Sequence, residues 1–409
     1  MASRELLDLH CSSCIHLSSG KCHAIHSQPY VHSLSSCPIS KWSSCPISTH
    51  SPSSYPILWL TQDFAQGGIT SYITYAAQHL ALSNTPVLAV LHESDFKYDH
   101  DRAKIIHQYC PTYRIGEEPQ SLYSDAQIVT FSYFYSESLI AYLRSRLSSK
   151  QYHSVIYQAH GDCEFTRQSI ANQKLLVDTA PITADQFWGM GPTPYSREML
   201  STITSVPIKP MYYGVDLYDY HIRNPRLFYP ISHPNYSPDP IRFLCVGRLD
   251  PHKRYDLSAK LISEFRSANP SYPPYANARM TLVGDGWAKD QVLASLAPYS
   301  FVDYIPWLST PDLVPVLQSH DALLMHSRSE GGPYVTLEAL SCALPVHSSS
   351  VGISSHLSSL DPQRLIYDSS MSTLTDFVKR INSIESHTKR YSIVEQIRRL
   401  YSKLSLRFA

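Results

Sequence analysis

From residue 56 onward, short apolar runs recur along the chain. Each is bounded by glycine, proline or polar clusters, and most are followed by a longer stretch with helical spacing. Pro56–Thr61, Val87–Leu91, Asp125–Phe131 and Ser154–Ala159 read as strands, with a helix predicted over Ile69–Leu82. The pattern restarts with Ile241–Val246 and continues through Arg279–Val283, Val302–Leu308, Asp321–His326 and Pro345–Ser350. Helices are predicted over Tyr255–Arg266, over Thr310–His320 with Thr310 as N-cap before Pro311, over Tyr334–Leu344 and along 374–409. Lys174–Asp178 is a further strand candidate. Near-continuous apolar strands alternating with helices predict parallel sheets covered on both faces, hence an α/β protein. Residues 221–240, rich in Pro, Asn and Tyr, read as a linker between two such units.

Glycines are few, 14 in all, so their clustering after strands is informative. One cluster is the run Ser327-Arg-Ser-Glu-Gly-Gly-Pro-Tyr-Val-Thr-Leu-Glu338, which follows an apolar strand. Gly331 and Gly332 turn the chain, and Pro333 suits a helix's first turn because its missing N–H is not needed there. Free backbone N–H groups and the positive end of the helix dipole then form an anion site at Gly331–Tyr334. Glu330 and Glu338 frame it. In Gly247-Arg-Leu-Asp-Pro-His-Lys253, Arg248 offers a bidentate fork and Lys253 a point charge, both suited to phosphate. Gly284 and Gly286 follow another strand and let backbone approach a ligand closely. His160 ends a strand, where α/β sheets place ligand-facing residues; Asp162 follows it.

Together these stretches resemble the family-4 retaining glycosyltransferases of GT-B fold. Glu330 and Glu338 match that family's pair of glutamates separated by seven residues, within Ser-x-x-Glu-Gly-x-Pro-x-x-x-x-Glu-Ala-Leu. Gly247-Arg248 through Lys253 matches its Gly-Arg-x-x-x-x-Lys stretch, and Val283-Gly-Asp-Gly286 its Val-Gly-Asp-Gly stretch. The match is specific over 241–350, looser over 56–217 and absent over 1–54; Tyr213 stands where Asn is usual before Gly-Val-Asp. The resemblance implies two Rossmann-like domains facing a cleft. Arg248 and Lys253 would reach a donor diphosphate. Glu330 would hold sugar hydroxyls and Glu338 the ribose. Gly67 and Gly68 would face the cleft near donor phosphate and acceptor, and His160 would touch sugar or acceptor. It implies catalysis without a metal, no cofactor, and a last helix crossing back to the first domain. The expected organisation is 1–54, 55–225 for the acceptor domain, 226–385 for the donor domain and 386–409 for the crossing helix.

Residues 1–54 are different. Five of the nine cysteines lie there, and apolar periodicity is nearly absent. So short a segment needs a staple to fold. Cys11, Cys14, Cys22 and Cys37 form the best tetrahedral set for a structural zinc, with Cys45 as a substitute for Cys37 and His23, His26 and His32 as further ligands. The later Cys245 and Cys342 fall in apolar runs and read as small buried hydrophobes.

Lys+Arg 34 against Asp+Glu 34 leaves no basic surplus for a dedicated nucleic-acid partner. No apolar run is long enough to span a membrane, and the N-terminus has no signal-peptide core. The expectation is a cytoplasmic enzyme, with peripheral membrane contact left open. It would take a nucleotide-sugar donor and transfer to a glycan, a lipid-linked or a small-molecule acceptor. The alternatives are a GT-B-like protein that binds nucleotide sugar or glycan without transfer, and a nucleotide-sugar epimerase or sucrose-type synthase on the same fold.

Overall fold

The computed structural model describes residues 100–123 and 231–354 continuously, and elsewhere separate strands and helices; in some of these only the backbone is described. Residues 17–18 and 21–22 form β1 (Leu17–Ser18) and β2 (Lys21–Cys22), a two-stranded antiparallel pair. Cys11, Cys14 and Cys37 lie outside the described residues, as do the side chain of Cys22, and with them the zinc expectation.

A seven-stranded parallel sheet follows. Its strands are β3 (Ile57–Thr61), β4 (Val87–His92), β5 (Thr112–Arg114), β6 (Ala126–Phe131), β7 (Tyr152–Gln158), β8 (Phe187–Gly191) and β9 (Ile208–Pro210). Their spatial order is β5-β4-β3-β6-β7-β8-β9. Helix α1 (Gly68–Leu82) connects β3 to β4, and α2 (His100–Tyr109) leads to β5. All five residues of β3 are buried, which explains why its run shows no alternation.

The second sheet has six parallel strands: β10 (Arg242–Val246), β11 (Arg279–Val283), β12 (Val302–Ile305), β13 (Ala322–Met325), β14 (Val346–Ser348) and β15 (Ile366–Asp368). Their order is β12-β11-β10-β13-β14-β15. Among the described helices of this half are α3 (Tyr255–Ala268), α4 (Lys289–Leu296), α5 (Thr310–Ser319), α6 (Tyr334–Ser341) and α7 (Leu374–Ser383). Along β10 the two faces are distinct. Phe243 and Cys245 enter one apolar cluster with Ile262 and Phe265 of α3, while Leu244 enters another with Leu337 and Leu340 of α6. That second cluster runs on to Ile57, Trp59 and Ile73 of the first half, so the two halves share apolar packing.

In each sheet the strand order reverses beside the strand that comes first in sequence: between β3 and β6, and between β10 and β13. Such switch points open a crevice at the carboxyl ends of the strands, where ligands bind in open α/β sheets. Two doubly wound Rossmann-like sheets in succession are the GT-B architecture.

Some boundaries shift. Helix α6 stops at Ser341 rather than Leu344, because Ala343 adopts φ 58 and the Leu344 N–H turns back to the Ala339 carbonyl. Pro333 is its N-cap residue, at φ −65 and ψ 107, rather than its first helical residue. The cap of α5 is Ser309, since Thr310 is already helical; the Ser309 hydroxyl donates to Asp312. Cys110, Cys245 and Cys342 are buried, and burial pushes Cys110 and Cys245 up to about 12. Among the described residues no helix is long and apolar enough to cross a membrane. Lys174–Asp178, the linker up to 230 and residues 386–409 lie outside the described residues.

Candidate functional site

Three loops leave the carboxyl ends of β10, β11 and β13, on both sides of the second switch point, and main-chain hydrogen bonds stitch them together. The Leu249 N–H donates to the Asp285 carbonyl at 2.9 Å, Ala288 N–H to Leu249 at 3.2 Å, and Arg328 N–H to His252 at 2.8 Å. Gly284 is required by this stitching. Its φ is 148, and a Cβ there would lie 2.0 Å from the Gly247 carbonyl oxygen. Gly286 packs on the Leu249 backbone, where a Cβ would lie 2.5 Å from the carbonyl oxygen. The two glycines singled out from sequence therefore serve a loop-to-loop contact within the protein.

The β10 loop carries Arg248 and Lys253. Asp250 caps the short 3-10 turn Pro251–Lys253 by accepting from the His252 N–H at 3.2 Å. The same carboxylate accepts from His252 Nδ1 at 2.7 Å and Trp287 Nε1 at 3.0 Å, and lies 3.6 Å from Arg248 Nη2. Burial alone would raise the Asp250 carboxyl. The hydrogen bonds from His252 and Trp287 outweigh that and hold it below the usual carboxylate value. Tyr255, buried beneath the loop, donates to the Arg248 carbonyl at 3.2 Å. Arg248 is thus oriented from both sides while its side chain stays 45% exposed.

The β13 loop brings Glu330 to Lys253. The two form an ion pair, and the Ser327 hydroxyl donates to the same Glu330 oxygen at 2.6 Å. This pairing is the central geometric fact of the site: residues 77 apart in sequence meet at the switch point. Gly352 holds the loop from behind. It sits at φ 54, and a Cβ there would be 2.4 Å from the Glu330 carbonyl. The loop's base is fixed by a buried polar chain, in which Ser258 Oγ lies 2.8 Å from His326 Nδ1 and His326 Nε2 lies 2.9 Å from His347 Nδ1. Burial, with His347 and Arg254 adding to it, lowers the His326 pKa to about 3.

Gly331, Gly332 and Pro333 lead into α6, whose first residue is Tyr334. The Thr336 N–H is already bonded to the Pro333 carbonyl, so the helix start closes as a tight turn. Glu338 sits one turn in and is 6% exposed. The Tyr75 hydroxyl, from α1 of the first half, donates to Glu338 Oε1 at 3.3 Å. The Tyr75 and Tyr334 rings pack at 5.6 Å, and Gly68 lies against Tyr334, where a Cβ would be 3.9 Å from its ring. The first half therefore reaches the helix that carries Glu338 through α1.

Arg248, Lys253, Glu330, Gly331, Gly332, Pro333, Tyr334, Glu338, Gly284 and Gly286 are thus gathered on adjacent loops and the start of α6, with Gly68 of α1 against Tyr334. Gly67, His160 and Asp162 lie outside the described residues. Sequence reasoning missed Asp250, Trp287, Tyr75, Gly352 and the His326–His347 pair. It also missed an Asp-x-Asp stretch, Asp99-His100-Asp101. Asp99 lies outside the described residues, and Asp101 is in α2 of the first half, whereas Arg248, Lys253 and Glu330 are on loops of the second sheet.

Fold and site together define a GT-B protein. Residues 232–399, which include every one of these loops of the second sheet, match the family model described as Glycosyl transferases group 1. Among solved structures, Anabaena HepE in complex with UDP and glucose is 14% identical, with a TM-score of 0.59 over 86% of this chain and 95% of that one. S. aureus TarM in complex with fondaparinux, alpha-GlcNAc-glycerol and UDP is 10% identical, with a TM-score of 0.60 over 86% and 97%. Sucrose-phosphate synthase from Thermosynechococcus elongatus is 13% identical, with a TM-score of 0.58 over 86% and 94%. These similarities extend over both sheets and establish the fold. No curated protein matches the sequence.

Proposed function

We propose that this chain is a retaining, metal-independent glycosyltransferase of family-4 type, moving a sugar from a nucleotide-sugar donor to an acceptor. The observation that carries the reading is the meeting of Lys253 with Glu330 beside Arg248 at the switch point of the second sheet. A clamp for phosphate stands there next to a carboxylate able to accept from sugar hydroxyls. Glu338, on the following helix, is the acceptor for ribose hydroxyls. The family match over 232–399 supports the same assignment. HepE and TarM are seen with UDP, which makes UDP and UDP-sugars the first ligands to test.

Transfer breaks the bond from the sugar's anomeric carbon to the phosphate oxygen and leaves charge on the departing diphosphate. Arg248, Lys253 and the N–H groups at the start of α6 are positioned to stabilise that charge by preorganised electrostatics. Because Lys253 also pairs with Glu330, one cation ties the phosphate end of the donor to its sugar end. Retention follows if the acceptor attacks from the face the phosphate leaves, with a phosphate oxygen taking the acceptor proton.

The acceptor belongs to the first half, where α1 brings Gly68 against Tyr334. A glycan, a lipid-linked sugar or a small molecule fits this reading, and His160 is the proposed first-half contact to it. Residues 1–54 are proposed to hold one structural zinc through Cys11, Cys14, Cys22 and Cys37, or Cys45 in place of Cys37. A cytoplasmic location is proposed with it.

The test is calorimetry with a panel of nucleoside diphosphates, then transfer assays with the matching sugar nucleotides and analysis of anomeric configuration by NMR. Binding of one diphosphate and a product of unchanged anomeric configuration is expected. Binding with neither transfer nor donor hydrolysis would indicate a non-catalytic binder, and an inverted product would rule out retention.

A further inference from the structure

Trp287 is the most exposed large apolar side chain among the described residues, 73% accessible. An indole has a large apolar surface whose burial is favourable, so one left in water at a ligand-binding edge calls for an account. Trp287 follows Gly284-Asp285-Gly286 on the β11 loop, directly beside the β10 loop that carries Arg248.

Its position is fixed. The indole N–H donates to Asp250 Oδ2 at 3.0 Å, and that same oxygen lies 3.6 Å from Arg248 Nη2. The loop beneath is held at two points: Gly286 is packed against the Leu249 backbone, and the Tyr304 hydroxyl donates to the Gly284 carbonyl at 3.0 Å. One carboxylate therefore orients the exposed arginine and the exposed indole together. The ring's edge is used for the hydrogen bond, while the side chain as a whole stays open to solvent. A pre-ordered aromatic beside a phosphate-binding cation loses little conformational freedom when a ligand ring settles on it.

We propose that Trp287 is a stacking platform for a ring of the ligand whose phosphate Arg248 holds. The inference rests on the donor-site reading above. The chemistry required is a flat or C–H-rich ring face, which a nucleobase and a pyranose both supply. Stacking of a base on an aromatic side chain is typically worth about 5- to 150-fold in affinity.

The experiment is calorimetry on wild type, Trp287→Ala and Trp287→Phe with UDP, ADP, GDP and dTDP, with the glucose derivative of whichever binds, and with inorganic pyrophosphate. Thermal melts monitor folding, which an exposed residue is not expected to disturb. Trp287→Ala should weaken the bound nucleotide or its glucose derivative by about 5- to 150-fold. Trp287→Phe should restore most of that loss, and pyrophosphate should be unaffected. A loss already present with the diphosphate identifies the base as the stacked ring; a loss confined to the glucose derivative identifies the sugar. Unchanged affinity for both in Trp287→Ala would overturn the inference while leaving the donor site standing. Equal weakening of pyrophosphate would also overturn it, by showing that Trp287 acts only through Asp250 on Arg248. Failure of the wild type to bind any of these nucleotides would remove the donor-site reading and this inference with it.

Discussion

The proposed donor site turns on a few charged side chains, and the structure changes what their removal should do. Each charge-assisted hydrogen bond to a ligand is worth about 1.5–3 kcal/mol, or roughly 10–150-fold. Glu338→Gln should therefore weaken nucleoside diphosphate and donor by about that factor, measured by calorimetry. Arg248→Ala acts on charge that grows as the leaving group departs, so it should lower turnover by about 100-fold or more, beyond any loss of donor affinity. Lys253 and Glu330 are a mutually paired, largely buried couple. Removing either leaves its partner as an uncompensated charge. Lys253→Ala and Glu330→Ala should each lower the melting temperature, and the double variant should lose less than the sum of the two. Strict additivity in the melts would show that the pair is not coupled in the folded protein. The glutamates, the arginine and the lysine were legible because charge in a strand–glycine–helix frame has few other uses. Asp250, Trp287 and Tyr75 were not. Their roles depend on which loops become neighbours in the sheet, and strand order is not written in any one segment.

At the scale of elements, the glycines mark where loops touch. Gly284 and Gly286, expected from sequence to let backbone approach a ligand, are both packed against the β10 loop. Gly284→Ala combines an unfavourable φ with a Cβ 2.0 Å from a backbone oxygen. It should cost more than about 2 kcal/mol of stability, read as a clear fall in melting temperature; a melt within 1–2 degrees of wild type, roughly the precision at which such shifts matter, would show that the loops part easily. Strands such as β3, β13 and β14 were legible because both faces are buried and the runs are apolar. Helices α2 and α4 and strands β5, β8, β9 and β15 were not assigned from sequence. The strands among them have three to five residues, such as Thr112–Arg114 and Phe187–Gly191, too short for periodicity to register. The end of α6 was misplaced for a different reason: Cys342-Ala-Leu344 is as apolar as the helix before it, yet Ala343 turns left-handed.

For the whole molecule, stability and function meet in the second sheet. The His326 pKa is near 3 in the fold against 6.5 when unperturbed. The unfolded chain thus binds a proton that the fold excludes, and stability is fully present above about pH 6.5 and declines as pH falls toward 3, by at most about 1.4 kcal/mol per pH unit from this group. Denaturant melts should show acid weakening that begins near pH 6.5. His326→Gln should flatten that slope; an unchanged pH profile would show that His326 does not carry it. The N-terminal cysteines make a separate claim. Metal analysis should find about one equivalent of thiophilic metal in the reduced full-length protein, and less than half of that would refute the zinc site. Fold class was legible from alternating strands and helices, and the division into two sheets from the restart at Ile241. The contact of α1 with α6 was not, because it joins Tyr75 to residues 259 and more positions away. The central claim is that Arg248, Lys253, Glu330 and Glu338 form the binding site of a nucleotide-activated sugar. The most direct measurement is calorimetric titration of wild type, Glu338→Gln and Glu330→Ala with the preferred nucleoside diphosphate. Glu338→Gln should weaken nucleotide binding, whereas Glu330→Ala should not, because its proposed ligand contact is the sugar and its loss leaves the Lys253 charge free for phosphate. Wild-type nucleotide affinity in Glu338→Gln would contradict it.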